Sequence, residues 1–338
     1  MKMISIDILK KTVAEACGAL TVTDWEFIAS SGTSISASMI NDELVEFSSS
    51  QETGITLRLI HDGKEGSVTS DRVDEEIIPM LVRKAYENSQ IKESDESYSP
   101  EIFHTEEKYP EKNSPSFFSC TAEEMKKVLS ATQKALFESD ERVAQGTSSD
   151  IASSSGESFL ENSRGLSLSN SYSSSYIASQ VVVKDGDDVK TAFSAKEGDV
   201  SSLDMKDTVS KALSRLHSGS VESGVYKIIF SPECFNMFLS AYSSAFSGKN
   251  ALLGLSPYKD KIGEMIASSL VTVIDDPLYP GYTMQKTYDG DARPTYRKDV
   301  VRNGRLETLL YNRQWALKAG CESTGNGAAT SAGSVISP

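Results

Sequence analysis

Apolar and polar residues alternate along this chain with two periods, and the periods come in a repeating order. The opening MKMISIDILKKTVAEACGAL puts Ile6, Leu9, Val13 and Ala16 on one face and Asp7, Lys10, Lys11 and Glu15 on others, the spacing of an amphipathic helix. Period-two stretches follow: WEFIASS, TSISASMIND with Ile35, Ala37 and Met39 alternating, ELVEFSSS, and GITLRLIHDGKEGSVTSD. Asp62-Gly63 in the last stretch predicts a hairpin. A helix is then predicted over residues 74–89, with Pro79 blurring its start.

The grammar repeats after a gap. KESDESYSPEIFHTEEKYPEKNSPSFFS carries three prolines and many charges without a period, so it reads as a linker or an extended surface strap. Thr121-x-x-Glu124 is a capping box that opens a helix to about Ser139. A serine-rich strand, a hairpin at Asp185-Gly186 and a helix over about Asp204–His217 complete the second block. Two such blocks suggest an internal duplication, with weak identity between them. The expected organisation is α+β: residues 1–92, a linker at 93–119, residues 120–220, and a β-rich C-terminal domain at 225–338.

That last unit opens with VYKIIFS, read as a short apolar strand, and runs into SPECFNMFLSAYSSAFSGK. Ser231 suits a helix N-cap, Pro232 the first helical position and Glu233 the positive end of the dipole. Phe235, Phe238, Leu239, Tyr242 and Phe246 form what spacing predicts to be a core-facing stripe. The opposite face collects Asn236, Ser240, Ser243, Ser244 and Ser247 where Lys and Glu would be usual. Such a face is expected to pack closely against another element or subunit. SLVTVIDDPLYPGY predicts a strand and turn, Asn303-Gly304 a hairpin, and CESTGNGAATSAGSVISP has no core-forming pattern.

Composition narrows the function classes. The chain has 338 residues, 38% hydrophobic and 24% charged, with a formal net charge of −14. An acidic chain without a basic patch repels phosphate backbones, which disfavours nucleic acid. No stretch approaches the roughly 18 apolar residues of a membrane span, and the N-terminal helix is not a signal peptide. Cys17, Cys120, Cys234 and Cys321 are far apart, with no CxxC pair. That pattern fits a reducing compartment, and a cytoplasmic location is expected.

Chemistry-bearing motifs are sparse. His61, His104 and His217 are widely separated, and there is no HExxH or GxSxG. SGKN at 247–250 lacks the other features of a P-loop, and YDGDARPTYRKD lacks the central Gly and terminal Glu of a calcium loop. Asp275-Asp276-Pro277 is either a carboxylate pair or ordinary turn chemistry.

The third unit carries more information as an ordered set. IIFSPECFNMFL, SLVTVIDDPLYPG, TYDGDARPT, VVRNGRLETLLYNRQWALKAG and STGNG resemble, in order and spacing, the TldD/PmbA family, once called modulators of DNA gyrase, and within it the PmbA (TldE) branch. SISASMINDELVEFSSSQETGITLRLIHDGKEG and SFLENSRGLSLSNSYSSSYIASQVVVKDGD resemble the family's first and middle domains. The resemblance implies a cytoplasmic metallopeptidase of two related subunits that cleaves extended peptides. One subunit, TldD-like, carries zinc on a HExxxH helix, and the PmbA-type subunit lacks that motif.

Carried onto this sequence, the zinc helix falls on the opening stretch of the third unit. Leu239 and Ser244 stand where the histidines would be and Ser240 where the glutamate would be. Serine hydroxyls and a leucine can neither bind zinc nor deprotonate water. The resemblance therefore implies no catalytic residue and no cofactor in this chain, with zinc in the partner subunit. It points to Asp275, Asp276, Thr324, Gly325 and Asn326 as substrate or partner contacts. Family members continue beyond the STGN segment while this sequence stops at Pro338, so the last domain is expected to be incomplete relative to the family. The leading expectation is a non-catalytic subunit of a zinc peptidase, pairing with a HExxxH subunit and an extended peptide, with a homodimer as the other assembly. A stand-alone peptide-binding scaffold is the alternative. An independent hydrolase using serine or Asp275/Asp276 ranks last.

Overall fold

A computed structural model describes residues 5–92, 98–112, 120–330 and 333–336. The first block is α1 (Ile6–Ala19), β1 (Asp24–Ile40), β2 (Glu43–His61), β3 (Lys64–Ser70) and α2 (Ile78–Ile91). The second is α3 (Ala122–Phe137), β4 (Ser148–Asn162), β5 (Ser167–Asp185), β6 (Asp188–Glu197) and α4 (Lys206–Leu213). Both helix–meander–helix blocks are present, and their strands join in one six-stranded antiparallel sheet in the order β3-β2-β1-β4-β5-β6. The first strands of the two blocks, β1 and β4, are the central pair.

The long strands explain how one sheet serves two cores. Successive side chains of a strand point to opposite faces. At the start of β1, Trp25, Phe27 and Ala29 pack with Leu9 and Val13 of α1 and Leu81 and Val82 of α2. Toward its end, Ala37 and Met39 pack with Met125 and Leu129 of α3 and Val209 of α4. These β1 residues share a parity, so the helices cover one face of the sheet.

The capping box of α3 forms as predicted between Thr121 and Glu124. Asp74, expected near the start of α2, instead accepts hydrogen bonds from the backbone of Glu76 and Ile77, and α2 begins at Ile78 with Pro79 in its first turn. Asp62-Gly63 and Asn303-Gly304 are hairpin turns with both residues at positive φ. Asn41-Asp42 makes a further such turn, joining β1 to β2 with φ of 51° and 63°.

The third unit comprises α5 (Pro232–Tyr242), a 3-10 turn (Ser243–Phe246), α6 (Gly248–Leu252), β7 (Val273–Asp275), β8 (Lys298–Arg302), β9 (Arg305–Leu306), α7 (Arg313–Ala319), β10 (Gly327–Thr330) and β11 (Gly333–Ile336). Its own core gathers Phe246, Val300, Val301, Leu306 and Leu310. It docks on the helix-free face of the sheet, where Tyr288 and Ala292 pack with Leu160, Leu166 and Ile28.

Two expectations for this unit are corrected. VYKIIFS has no regular secondary structure and pairs with no strand among the described residues. Of the predicted stripe, Phe246 joins the core and Leu239 packs against it, while Phe235, Phe238 and Tyr242 do not face a core. Phe230, Phe235, Phe238 and Tyr242 stack on one another at centroid distances of 4.7–6.5 Å and stay largely exposed.

The segment read as a linker or strap lies across this junction. Asn162 Nδ2 donates to the Phe103 carbonyl, Tyr109 Oη to the Ala292 carbonyl, and Arg313 to the carbonyls of Ser99 and Glu101. Its described part, residues 98–112, ties the sheet to the third unit. Residues 93–97 and 113–119 of the expected linker lie outside the described residues.

Candidate functional site

A cavity of about 870 Å³ lies where the third unit meets the sheet. Its floor is Ile28 of β1, Thr56 of β2, Ser158 of β4 and Asn170 of β5. Its walls come from residues 274–277, 279, 282, 284, 286, 288–290, 295 and 325–329 of the third unit, with Asn236 of α5 at the side. Four of the five contact residues expected from the sequence, Asp275, Asp276, Gly325 and Asn326, converge on this one cavity.

Asp275, at the end of β7, accepts from Lys298 Nζ at 2.7 Å and from Asn326 Nδ2 at 3.0 Å. Asn326 Oδ1 accepts from Lys298 at 3.3 Å and lies 2.8 Å from Thr324 Oγ1. Thr324 is buried behind the wall, where its hydroxyl accepts from the Tyr311 N–H at 2.7 Å. It positions Asn326 and does not line the cavity. Gly325 is required between them: its φ is +70°, and a Cβ would come within 2.8 Å of the Pro294 carbonyl oxygen. Asp276 does turn chemistry as well, accepting from the Leu278 N–H at 3.1 Å.

Several wall residues carry no local signal that singles them out. Tyr279, Tyr282, Met284 and Tyr288 supply apolar and aromatic surface, and Lys286 a cation. Asp289 is almost fully buried and staples its loop, accepting from the N–H groups of Asp291, Arg293 and Gly327 at 2.9, 2.8 and 2.7 Å. Burial, and then the neighbouring Asp291 carboxylate, push its pKa up to about 7. Beneath, Arg58 of β2 meets Glu26 at 2.6 Å, Asp291 at 3.5 Å and Glu65 at 3.8 Å. Burial pulls the Arg58 guanidinium's pKa down, but these carboxylates outweigh it and hold it above the ordinary arginine value.

Of the positions that the family resemblance sets against zinc ligands, Leu239 and Ser240 lie beside this cavity. Ser231 caps α5 as expected, its hydroxyl accepting from the Cys234 N–H at 3.3 Å. Leu239 is half-buried against the third unit's core. Ser240 is exposed at the rim of a small pocket of about 190 Å³ that shares Ile274 and Asp275 with the main cavity. Ser244 lies beyond α5 on the 3-10 turn and is exposed. Of the uncharged polar face, where the sequence suggested close packing, Asn236, Ser240 and Ser243 line open space, while Ser247 caps α6 and bridges to Leu310. An aliphatic side chain and two hydroxyls do not fit a zinc ion. Among the described residues no group of three His, Cys, Asp or Glu side chains could hold a metal. The histidines are elsewhere: His61 is against Tyr86, His104 beside Glu106 and His217 beside Asp185.

A cavity with tyrosine and methionine walls and a few convergent polar groups suits an elongated ligand with apolar side chains. Among the described residues no helix is long and apolar enough to cross a membrane.

Comparison with known proteins places this geometry in a family. Residues 25–89 match PmbA/TldA metallopeptidase domain 1, residues 116–218 the central domain and residues 223–338 the C-terminal domain. A metalloprotease of Methanocaldococcus jannaschii is 27% identical over 88% of this chain and 68% of its own length. Metalloprotease PmbA of Escherichia coli O157:H7 is 21% identical over 87% of this chain and 67% of its own. The fold matches a Thermotoga maritima protein named as a modulator of a DNA gyrase, with a TM-score of 0.85 at 20% identity over 99% of this chain and 76% of that one. It also matches TldE from Thermococcus kodakarensis, with a TM-score of 0.81 at 21% identity over 97% of this chain and 75% of that one. The chain belongs to the PmbA/TldD metallopeptidase family.

Proposed function

We propose that this chain is a non-catalytic, PmbA/TldE-type subunit of a cytoplasmic two-subunit zinc metallopeptidase. It holds an extended peptide in the cavity between the sheet and the third unit, and a TldD-like HExxxH subunit supplies the zinc. The observation that carries this reading is the pairing of a peptide-sized cavity with a neighbouring helix and 3-10 turn whose Leu239, Ser240 and Ser244 offer no metal ligand. No hydrolytic step runs on this chain's own residues; its part is to bind and orient the substrate.

A second feature supports a partner. Between Val225 and Tyr242, the large side chains of Val225, Ile228, Ile229, Phe230, Met237 and Phe238 are each more than half exposed. An exposed apolar ridge of this kind, with Phe230 against Phe238, marks an interaction surface, and residues 225–230 pair with no strand among the described residues.

Elemental analysis after dialysis against a weak chelator, together with a cleavage assay on unstructured peptides, tests the non-catalytic role. The purified chain is expected to hold no stoichiometric zinc and to leave peptides intact. About one zinc per chain, or chelator-resistant cleavage by the chain alone, overturns the reading.

A further inference from the structure

The six-stranded sheet is open at one corner. β1 is paired on both sides along nearly its whole length, but β3 covers only residues 55–61 of β2. Among the described residues no strand lies beside residues 43–54, about 40 Å of edge at about 3.3 Å of rise per residue. In the second block, β6 leaves the matching stretch of β5, residues 167–175, uncovered in the same way. There the chain itself reaches the edge: Lys112 Nζ donates to the Ser171 carbonyl and the Gly198 N–H to the Ser175 carbonyl. On β2 a contact is made at the end nearest β3, where the Thr53 hydroxyl donates to the Asp71 carbonyl. Residues 43–49 are all exposed.

The strand register says which way the side chains of this edge point. Phe27, Ala37 and Met39 mark the helix-covered face of β1. Phe47 stands opposite Ala37, and residues 49, 51 and 53 share its face. Glu46, Ser48, Ser50 and Glu52 stand opposite Ser38, Ser36, Ser34 and Gly32 on the helix-free face, where the Ser34 and Ser50 hydroxyls meet at 2.8 Å. One face of the edge therefore carries a carboxylate at either end of two small hydroxyls, and the other exposes Phe47. Residues 42–57 include four carboxylates and no Lys, Arg or Pro. Strands β1 and β4 also lack Lys and Arg. The ion pairs that Lys10, Arg58 and Arg164 make with this part of the sheet are at Glu161, Glu26 and Asp24, toward its other end.

An edge strand turns half of its backbone N–H and C=O groups outward and is a template for a further strand unless Lys or Pro blunts it. This one carries neither. Its carboxylates, on a chain of net charge −14, disfavour a second acidic copy and favour a cationic partner. We propose that the β2 edge adds an extended, basic segment of another polypeptide as a seventh strand of the sheet. Lys or Arg of that segment stands beside Glu46 and Glu52, small residues stand between them, and an apolar residue on the opposite face covers Phe47. Residues 43–54 lie outside the main cavity, so this partner is independent of the cavity's ligand.

Fluorescence anisotropy on the whole chain tests the edge. The probe is labelled Lys-Val-Ser-Thr-Ser-Val-Lys, whose palindromic order presents the same two faces in either strand direction. It is expected to bind at least about tenfold more tightly than Glu-Val-Ser-Thr-Ser-Val-Glu, since two opposite-charge cross-strand pairs are exchanged for like-charge ones. Glu46→Lys combined with Glu52→Lys, both at exposed positions, is expected to reverse that preference, which an unfolded variant would not do. Two further probes are N-methylated at both serines or at both valines. One of them removes the N–H groups that face β2 and is expected to lose at least about tenfold in affinity. Equal binding of both methylated probes and the unmethylated one overturns strand addition. Equal binding of the lysine and glutamate probes, or binding of neither, overturns the basic partner. A dimer of the parent chain that the double variant disperses, seen by light scattering, gives the edge to a second copy and overturns the proposal as well.

Discussion

Arg58 of β2 and Asp291 of the third unit face each other at 3.5 Å, and both side chains are almost entirely buried. Arg58 also neutralises Glu26 and Glu65, so one guanidinium joins the sheet to the third unit and compensates three carboxylates. Arg58→Met is expected to destabilise the chain by about 3–5 kcal/mol, the cost of leaving buried charges unpaired. Urea unfolding should show the third unit separating first. A loss under about 1 kcal/mol would mean that the cluster behaves as a solvated surface pair.

Asp289 gives this junction a pH dependence. Its folded pKa is pushed above the ordinary carboxylate value, to about 7. Between those values the unfolded chain has already released a proton that the folded chain keeps, so stability falls as pH rises and levels off above about pH 7. Arg58 and Arg293 face the Asp289–Asp291 pair from β2 and the pair's own loop, the Arg313 backbone N–H donates to Asp291, and Glu26 and Glu65 stand behind Arg58. Thermal unfolding in a pH series should show a downward slope between pH 5 and 7, and Asp289→Asn should flatten it. An unchanged slope in the variant would assign the titration elsewhere.

Substitutions on α5 and the 3-10 turn after it separate chemistry from packing. Ser240→Ala and Ser244→Ala touch exposed positions and are expected to change stability by less than about 0.5 kcal/mol. Leu239→Ala removes a half-buried side chain from the third unit's core and should cost about 1–2 kcal/mol, below the range for full burial. Differential scanning calorimetry on the three variants checks the order. A serine variant costing more than the leucine variant would contradict the placement of these residues.

The local grammar of the fold was legible because its cues are local. Asp62-Gly63 and Asn303-Gly304 carry the glycine that a hairpin turn uses, and both form one. Asn41-Asp42 takes the same backbone without a glycine, so composition gave no warning. VYKIIFS has the residues of a strand, but pairing is decided by distant segments, and none pairs with it among the described residues.

The site divided in the same way. Asp275, Asp276, Gly325 and Asn326 were reached through family resemblance and meet in one cavity. The floor at Ile28, Thr56, Ser158 and Asn170 sits on four strands brought together only by the sheet.

The apolar ridge makes a prediction about assembly. Ile229→Ser and Phe238→Ser change side chains that are 98% and 51% exposed, so folding should be nearly unaffected. Binding to a HExxxH-bearing relative is expected to weaken at least about tenfold, as for the anchors of an interface. Size-exclusion chromatography with light scattering reads complex formation and self-association together. A double variant that pairs as tightly as the parent would remove the ridge from the interface.

The most direct measurement is peptide cleavage by a reconstituted pair. This chain, a HExxxH-bearing relative from the same organism and an unstructured reporter peptide are combined, with each protein also assayed alone. Cleavage is expected to appear or rise only in the mixture, to vanish when zinc is removed, and to survive Ser240→Ala and Ser244→Ala in this chain. Cleavage unaffected by this chain, with peptide still bound to it, would contradict the subunit role and identify a stand-alone peptide-binding protein.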